Sequence, residues 1–234
     1  MAQLTCKNLV LGYDNNPLIK DLSFEVNAGD YLAIVGENGS GKTTLMKTVL
    51  GLIKPISGEI LFGDGLNRNE MGYLPQQTVV QRDFPASVWE VVLSGCLTHL
   101  GKRPFYGKEE KALAKQNIEK MRLSGFENRS YRELSGGQQQ RVMLTRALCA
   151  TRKILLLDEP VSGLDPKVTA EMYETIEALN AEGTTIIMIS HDISAALKYA
   201  SHILHIGKEI YFGAKSDYVQ SDNFKGLTGG TENV

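Results

Sequence analysis

Eight consecutive residues, Gly36-Glu37-Asn38-Gly39-Ser40-Gly41-Lys42-Thr43, satisfy the pattern G-x-x-x-x-G-K-[ST] at every position. Glycines at these places let the backbone curl so that successive N–H groups point inward at one anion, at a helix start that already favours negative charge. The lysine places a positive charge on the β- and γ-phosphates, and the hydroxyl after it can ligate magnesium. The pattern therefore reads as a cradle for ATP with Mg2+, with Gly36, Asn38, Gly39, Ser40, Gly41, Lys42, Thr43 and the following Thr44 as its contacts. A glycine-rich turn that matches by chance is the plain alternative, and what flanks the loop decides between them.

A second constellation is Ile154-Leu155-Leu156-Leu157-Asp158-Glu159-Pro160. Four apolar residues ending in an acid are how a buried strand delivers a carboxylate to magnesium beside a γ-phosphate. Asp158 is that acid. Magnesium binding does not itself need a second carboxylate, so Glu159 is the more informative residue: it can orient and deprotonate an attacking water. The third constellation, Leu134-Ser135-Gly136-Gly137-Gln138, opens a helix with Ser135 as N-cap and two glycines that expose the amides, a second anion cradle.

These groups need elements to carry them. Tyr31 to Val35 is apolar without alternation, as expected of a strand covered on both faces in a parallel sheet, and Lys42 to Leu50 reads as a helix. Strand, loop, helix is the setting the phosphate motif requires. Before it, Thr5 to Tyr13 and Ile19 to Val26 are strand-like, separated by the turn Asp14-Asn15-Asn16-Pro17. From about 78 to 152 the character is helical: Ser87 and Glu90 form a capping box, Lys108 to Met121 is amphipathic, and a helix runs from Gly136 to Ala150. Alternation then resumes with strand Ile154 to Leu157, helix Pro166 to Ala181, strand Thr184 to Ile189, helix Asp192 to Tyr199, and strands His202 to Ile206 and Glu209 to Phe212 around Gly207-Lys208. This predicts an α/β core over 1–77 and 153–220 with an inserted α-helical subdomain over 78–152 and a loosely ordered tail over 221–234.

Composition narrows the classes. With 234 residues, 42% hydrophobic and 22% charged, the chain reads as one globular domain with a full core. A net charge of -2 gives no basic footprint for nucleic acid. The start has no apolar h-region, and no apolar run approaches the roughly 18 residues that cross a bilayer, so a membrane role would come through a partner. Cys6, Cys96 and Cys149 are too scattered for a disulfide framework or metal spacing and read as buried thiols in a reducing cytoplasm.

Together these motifs resemble the nucleotide-binding subunits of ABC transporters over nearly the whole chain. The phosphate loop resembles their Walker A motif, Leu134 to Gln138 their signature motif, and Asp158 and Glu159 their Walker B aspartate and catalytic glutamate. The resemblance implies a P-loop NTPase (RecA-like) core with an antiparallel β subdomain and a helical insertion. It gives Gln76, in Gly72-Tyr73-Leu74-Pro75-Gln76, the part of sensing magnesium and the attacking water, with Gln77 leaving the register slightly open. His191 matches the switch histidine on the γ-phosphate, and Asp165 the D-loop, although a cap for the helix that Pro166 starts is sufficient reason for it. Tyr13 matches the aromatic that stacks on adenine, or simply packs. The implied assembly is a head-to-tail dimer in which ATP lies between one copy's Walker A loop and the other copy's Ser135, Gly136, Gly137, Gln138 and Asp165. It further implies integral-membrane permease subunits, an extracytoplasmic substrate-binding protein, and a peripheral place on the cytoplasmic face of the membrane.

The segment Asp83 to Gly95 is similar to that of zinc and manganese importer ATPases, with Phe84 and Trp89 as interface anchors or, for Trp89, subdomain core. His99, His202 and His205 read as structural, the last two facing opposite sides of a strand. The tail carries no His-rich tract of the kind some zinc-importer ATPases have, which leaves zinc only slightly preferred over manganese. One rival is a soluble ABC ATPase serving iron–sulfur assembly. A small-molecule kinase, the other, has no use for Leu134 to Gln138 or for Glu159.

Overall fold

The computed structural model of the chain describes residues 2–13, 16–76, 85–151, 153–221 and 224. In chain order its strands are β1 (Ala2–Tyr13), β2 (Asn16–Asn27), β3 (Tyr31–Val35), β4 (Ser57–Phe62), β5 (Met71–Leu74), β6 (Ile154–Asp158), β7 (Thr185–Ile189), β8 (His202–Ile206) and β9 (Ile210–Ala214). Its α-helices are α1 (Lys42–Val49), α2 (Val88–Ser94), α3 (Lys108–Lys120), α4 (Gly136–Ala150), α5 (Pro166–Ala181), α6 (Ile193–Tyr199) and α7 (Lys215–Gln220). Two compact units divide the chain, one of Met1–Leu66 with Ile187–Val234 and one of Asn67–Ile186, so that β7 begins in the second and ends in the first.

In the first unit β1 pairs antiparallel with both β2 and β4. Leu4, Cys6, Leu9 and Leu11 of β1 are buried, and the register shifts between Cys6 and Leu9, where Asn8 takes a left-handed φ of 48°. Ser23 serves that irregularity, accepting from Asn8 N at 2.9 Å and donating to Asn8 Oδ1 at 3.2 Å. Every residue of β3 is buried, as its unbroken apolar run predicted, and β3 pairs parallel with β8 in the register Val35 to His205. β8 then turns back antiparallel into β9.

The second unit is organised on α4, which packs against α2, α3 and β5. Val142, Leu144 and Leu148 of α4 meet a core that includes Val88, Val92, Ala114 and Ile118. Ser87 caps α2 by the expected box, accepting from Glu90 N at 3.2 Å while Glu90 Oε2 accepts from Ser87 N at 2.8 Å. β5 and β6 pair parallel, and all of β6 is buried; each of its apolar side chains contributes about 1.5–3 kcal/mol of burial. All three cysteines are buried; burial pushes the Cys6 thiol up to about 12, and Asn117 Nδ2 donates to Cys149 Sγ at 3.3 Å.

Several expected bounds shift. β1 and β2 extend beyond Thr5 to Tyr13 and Ile19 to Val26, because their antiparallel pairing runs from Ala2–Asn27 to Tyr13–Asn16. Asp192 is the N-cap of α6 rather than its first residue, its side chain accepting from Ala195 N at 2.9 Å. α7 was not expected from the sequence at all. Asp14, Asn15, Gln77, Phe84 and almost all of the tail lie outside the described residues. Among the described residues no helix is long and apolar enough to cross a membrane.

Candidate functional site

The phosphate loop leaves β3 at Gly36, whose φ of 143° carries the chain past the end of β8; a Cβ there would lie 2.1 Å from the Ile206 carbonyl oxygen. Gly41, the N-cap of α1, makes no side-chain cap, so the first amides of the helix are left to an anion. Ser40 Oγ is buried and has no hydrogen-bond partner among the described residues. Lys42 is buried, and its Nζ donates to the carbonyls of Gly36 at 2.8 Å and Glu37 at 2.7 Å, which holds the ammonium over the loop. Thr44 Oγ1 lies 3.3 Å from Tyr13 Oη, and the Tyr13 side chain is 49% exposed at the end of β1. A cleft of about 510 Å³ borders the loop, lined by Lys20, Asn38, Ser40, Gly207 and Lys208 among others.

In the same unit Ser190 N donates to Ile34 O at 3.1 Å, tying the end of β7 to β3 just before the loop. His191 follows directly and is exposed. His205 is the residue whose position the sequence did not reveal. The strand alternation put it opposite His202, but only the pairing of β8 with β3 brings it beside the loop. Burial lowers its pKa; the charge of Glu37 raises it and that of Lys42 lowers it further, so the ring lies within electrostatic reach of the loop. Tyr218 Oη lies 3.4 Å from its Nδ1. His99 and His202 also have protein partners, the Cys149 carbonyl at 3.0 Å and Ser201 Oγ at 3.1 Å, which fits their structural reading.

In the second unit the buried run of β6 delivers Asp158, which is 1% exposed. Burial first, and then the Asp158 charge, push the Tyr73 phenol up to about 12. Glu159 turns the chain with a left-handed φ of 51°, and its Oε2 accepts from Gln76 Nε2 at 2.8 Å. Beyond it Asp165 caps α5, accepting from Lys167 N and Val168 N at 3.1 Å, as the Asp-Pro pair predicted. Ser135 caps α4 and exchanges bonds with Gln138: Ser135 Oγ accepts from Gln138 N at 3.3 Å, and Ser135 N donates to Gln138 Oε1 at 3.0 Å. The two glycines between them are not equivalent. A Cβ on Gly136 would meet only Leu164 Cδ2 at 3.8 Å, whereas one on Gly137 would sit 2.4 Å from Val168 Cγ1. Trp89 is half-buried in α2.

Chemically, the first unit offers amides, a buried lysine and an orphaned hydroxyl to phosphate, and the second a carboxylate pair with an amide bonded to one of them. The Thr43 hydroxyl, the Asp158 carboxylate and the Gln76 amide oxygen are hard oxygen donors of the kind magnesium takes.

The family model described as ABC transporter matches residues 19–162. The manganese transport system ATP-binding protein MntB of Bacillus subtilis is 36% identical, over 98% of this chain and 94% of MntB. The zinc transport system ATP-binding protein TroB of Treponema pallidum is 37% identical, over 84% of this chain and 75% of TroB. Among solved structures, a chain of an ATP-binding cassette from an ABC transporter, in its ADP conformation, superposes with a TM-score of 0.80 at 25% identity, over 99% of this chain and 100% of that one.

Proposed function

The chain belongs to the ABC transporter family, as an ATP-binding subunit with a P-loop NTPase core that hydrolyses ATP, and from that premise we propose that it energises import of a divalent metal ion, zinc or manganese. The cargo reading is supported by the transport systems that the two relatives serve; the same relatives favour a transporter over a soluble iron–sulfur assembly ATPase.

The observation that carries the hydrolytic mechanism is the Glu159 carboxylate, placed one residue beyond a buried strand and bonded to Gln76 at 2.8 Å. In this reading the loop from Gly36 to Thr44 binds the phosphates, with Asn38, Gly39, Ser40 and Gly41 supplying amides and Lys42 its charge, while the adenine stacks on Tyr13. Glu159 orients a water and takes its proton as the water oxygen attacks the γ-phosphorus; the bond to the β–γ bridging oxygen breaks, and ADP leaves with that electron pair. His191 donates to the γ-phosphate. Magnesium, held by Thr43, Asp158 and Gln76, would neutralise charge on the β- and γ-phosphates when bound.

Ser135, Gly136, Gly137, Gln138 and Asp165 serve the nucleotide of a second copy in a head-to-tail dimer, so that ATP closes the pair and hydrolysis opens it. The contact with integral-membrane permease subunits is made by the stretch 82–92, between Gln76 and the helical block, with Trp89 as an aromatic anchor. Through them the chain sits peripherally on the cytoplasmic face of the membrane, and an extracytoplasmic protein hands over the metal.

Glu159→Gln tests the mechanism: turnover is expected to fall by about 10²-fold or more, the range that a general base supplies, with an ATP-dependent dimer on size exclusion. Undiminished turnover would sink it. Radiolabelled zinc and manganese uptake in cells lacking the chain tests the cargo; unchanged accumulation of both overturns the metal reading.

A further inference from the structure

Glu159 holds a left-handed backbone conformation that side chains rarely adopt, and such a conformation persists only where its surroundings enforce it. Part of that enforcement comes from outside the turn. Gln140, in the second turn of α4 and 3% exposed, donates from Nε2 to the carbonyl oxygen of Pro160 at 2.6 Å. A carbonyl only accepts, so the amide must present its NH2 group there. That orientation leaves Gln140 Oε1 buried with no hydrogen-bond partner among the described residues.

Gln140 satisfies one buried acceptor and leaves another, its own Oε1, unsatisfied. A leucine of similar size would remove the stranded Oε1 but would leave the carbonyl of the buried Pro160 without this donor, so the exchange gains little stability either way. The neighbouring Gln139 makes a useful contrast, because its Nε2 bonds Tyr131 O at 3.1 Å and serves the segment leading into α4. Gln140 instead fixes the distance between the capped start of α4 and the peptide that follows Glu159. The carboxylate is thereby held at two points, by Gln76 at its head and by Gln140 through its backbone.

We propose that Gln140 is a positioning residue for ATP hydrolysis, clamping the Pro160 carbonyl so that Glu159 presents its carboxylate to the attacking water. The inference rests on the general-base reading of Glu159. Small misplacement of a reacting group costs rate far more than it costs substrate binding. Loss of the clamp therefore lowers kcat and leaves KM for ATP alone.

The test is steady-state ATP turnover of the full chain in three variants beside the wild type. Gln140→Leu is expected to lose about tenfold or more in kcat with KM for ATP within about twofold, in protein that is still folded at the assay temperature. Wild-type kcat in this variant, with Glu159→Gln inactive, overturns the clamp alone; an active Glu159→Gln overturns the general-base reading on which it rests. Gln140→Glu decides the matter if the leucine variant unfolds. Its introduced carboxyl can donate to Pro160 only when protonated, so its kcat should fall as pH rises between 6 and 9, in a limb the wild type lacks. A profile parallel to the wild type's overturns the proposal.

Discussion

Gly137→Ala separates two reasons for a glycine in Ser135 to Gln138. The added Cβ would lie 2.4 Å from Val168 Cγ1, at least 1 Å inside the 3.4 Å at which ordinary contact begins. Overpacking of this kind costs about 1–3 kcal/mol, while replacing a helical glycine by alanine returns about 0.5–1 kcal/mol. The net loss, up to about 2.5 kcal/mol, corresponds to a fall of up to about 10 °C in melting temperature for a chain of this size. Val168→Ala removes the obstructing methyls, after which the nearest Val168 atom is Cβ at 3.5 Å, an ordinary contact. Thermal unfolding of the wild type, both single variants and the double variant closes a cycle, with a coupling of about 0.5 kcal/mol or more expected in favour of the double variant. Additive effects would refute the packing account. Turnover sharpens it further: the amide N–H at 137 survives both substitutions, so activity should return with stability. Recovery of melting temperature without recovery of turnover would mean that the glycine serves nucleotide rather than Val168.

The phosphate loop offers a graded comparison. Gly39→Ala meets nothing within 4 Å and carries only the strain of its φ of 80°, about 1–2 kcal/mol, whereas Gly36→Ala drives into the Ile206 backbone and should be the less stable by chemical denaturation; the reverse order would contradict the loop's path. His205 has a lowered pKa, so below about 6.5 the unfolded chain binds a proton that the folded one refuses. Its contribution to stability is thus present above that pH and is lost as pH falls toward the lowered value. His205→Gln should flatten the fall in urea midpoint between pH 7 and 5, and parallel curves would refute this. Ser87→Ala removes the cap of α2 and should cost about 1 kcal/mol in denaturant unfolding, with no loss arguing against the box.

What could be read from the sequence was whatever depends on neighbours in the chain. The loop after β3, the caps Ser87, Ser135 and Asp165, and the buried runs of β3 and β6 all follow from local pattern, and the structure has each of them. Besides α7, three placements around the site were not legible, because each needs residues distant in sequence. The pairing of β8 with β3 places His205 near Lys42, the packing of α4 on α5 gives Gly137 its neighbour Val168, and the amide of Gln140 finds Pro160 twenty positions away. The Gln76–Glu159 bond is intermediate: family resemblance paired the two residues by role, and their contact spans 83 positions. Strand ends moved for a related reason, since hydrogen-bonded partners rather than side-chain pattern set where β1 and β2 stop.

α4 is fastened along its length. Arg141 pairs with Glu171 of α5, Arg146 Nε donates to Ser94 Oγ of α2 at 3.0 Å, and the Cys149 carbonyl meets the His99 ring at the far end. Fifteen residues make a rod of about 22 Å, so a tilt of about 5° sweeps one end through about 2 Å relative to the other. A displacement of the Ser135 tip would therefore be carried through one helix to Ser94, to His99 and to the turn that holds Glu159.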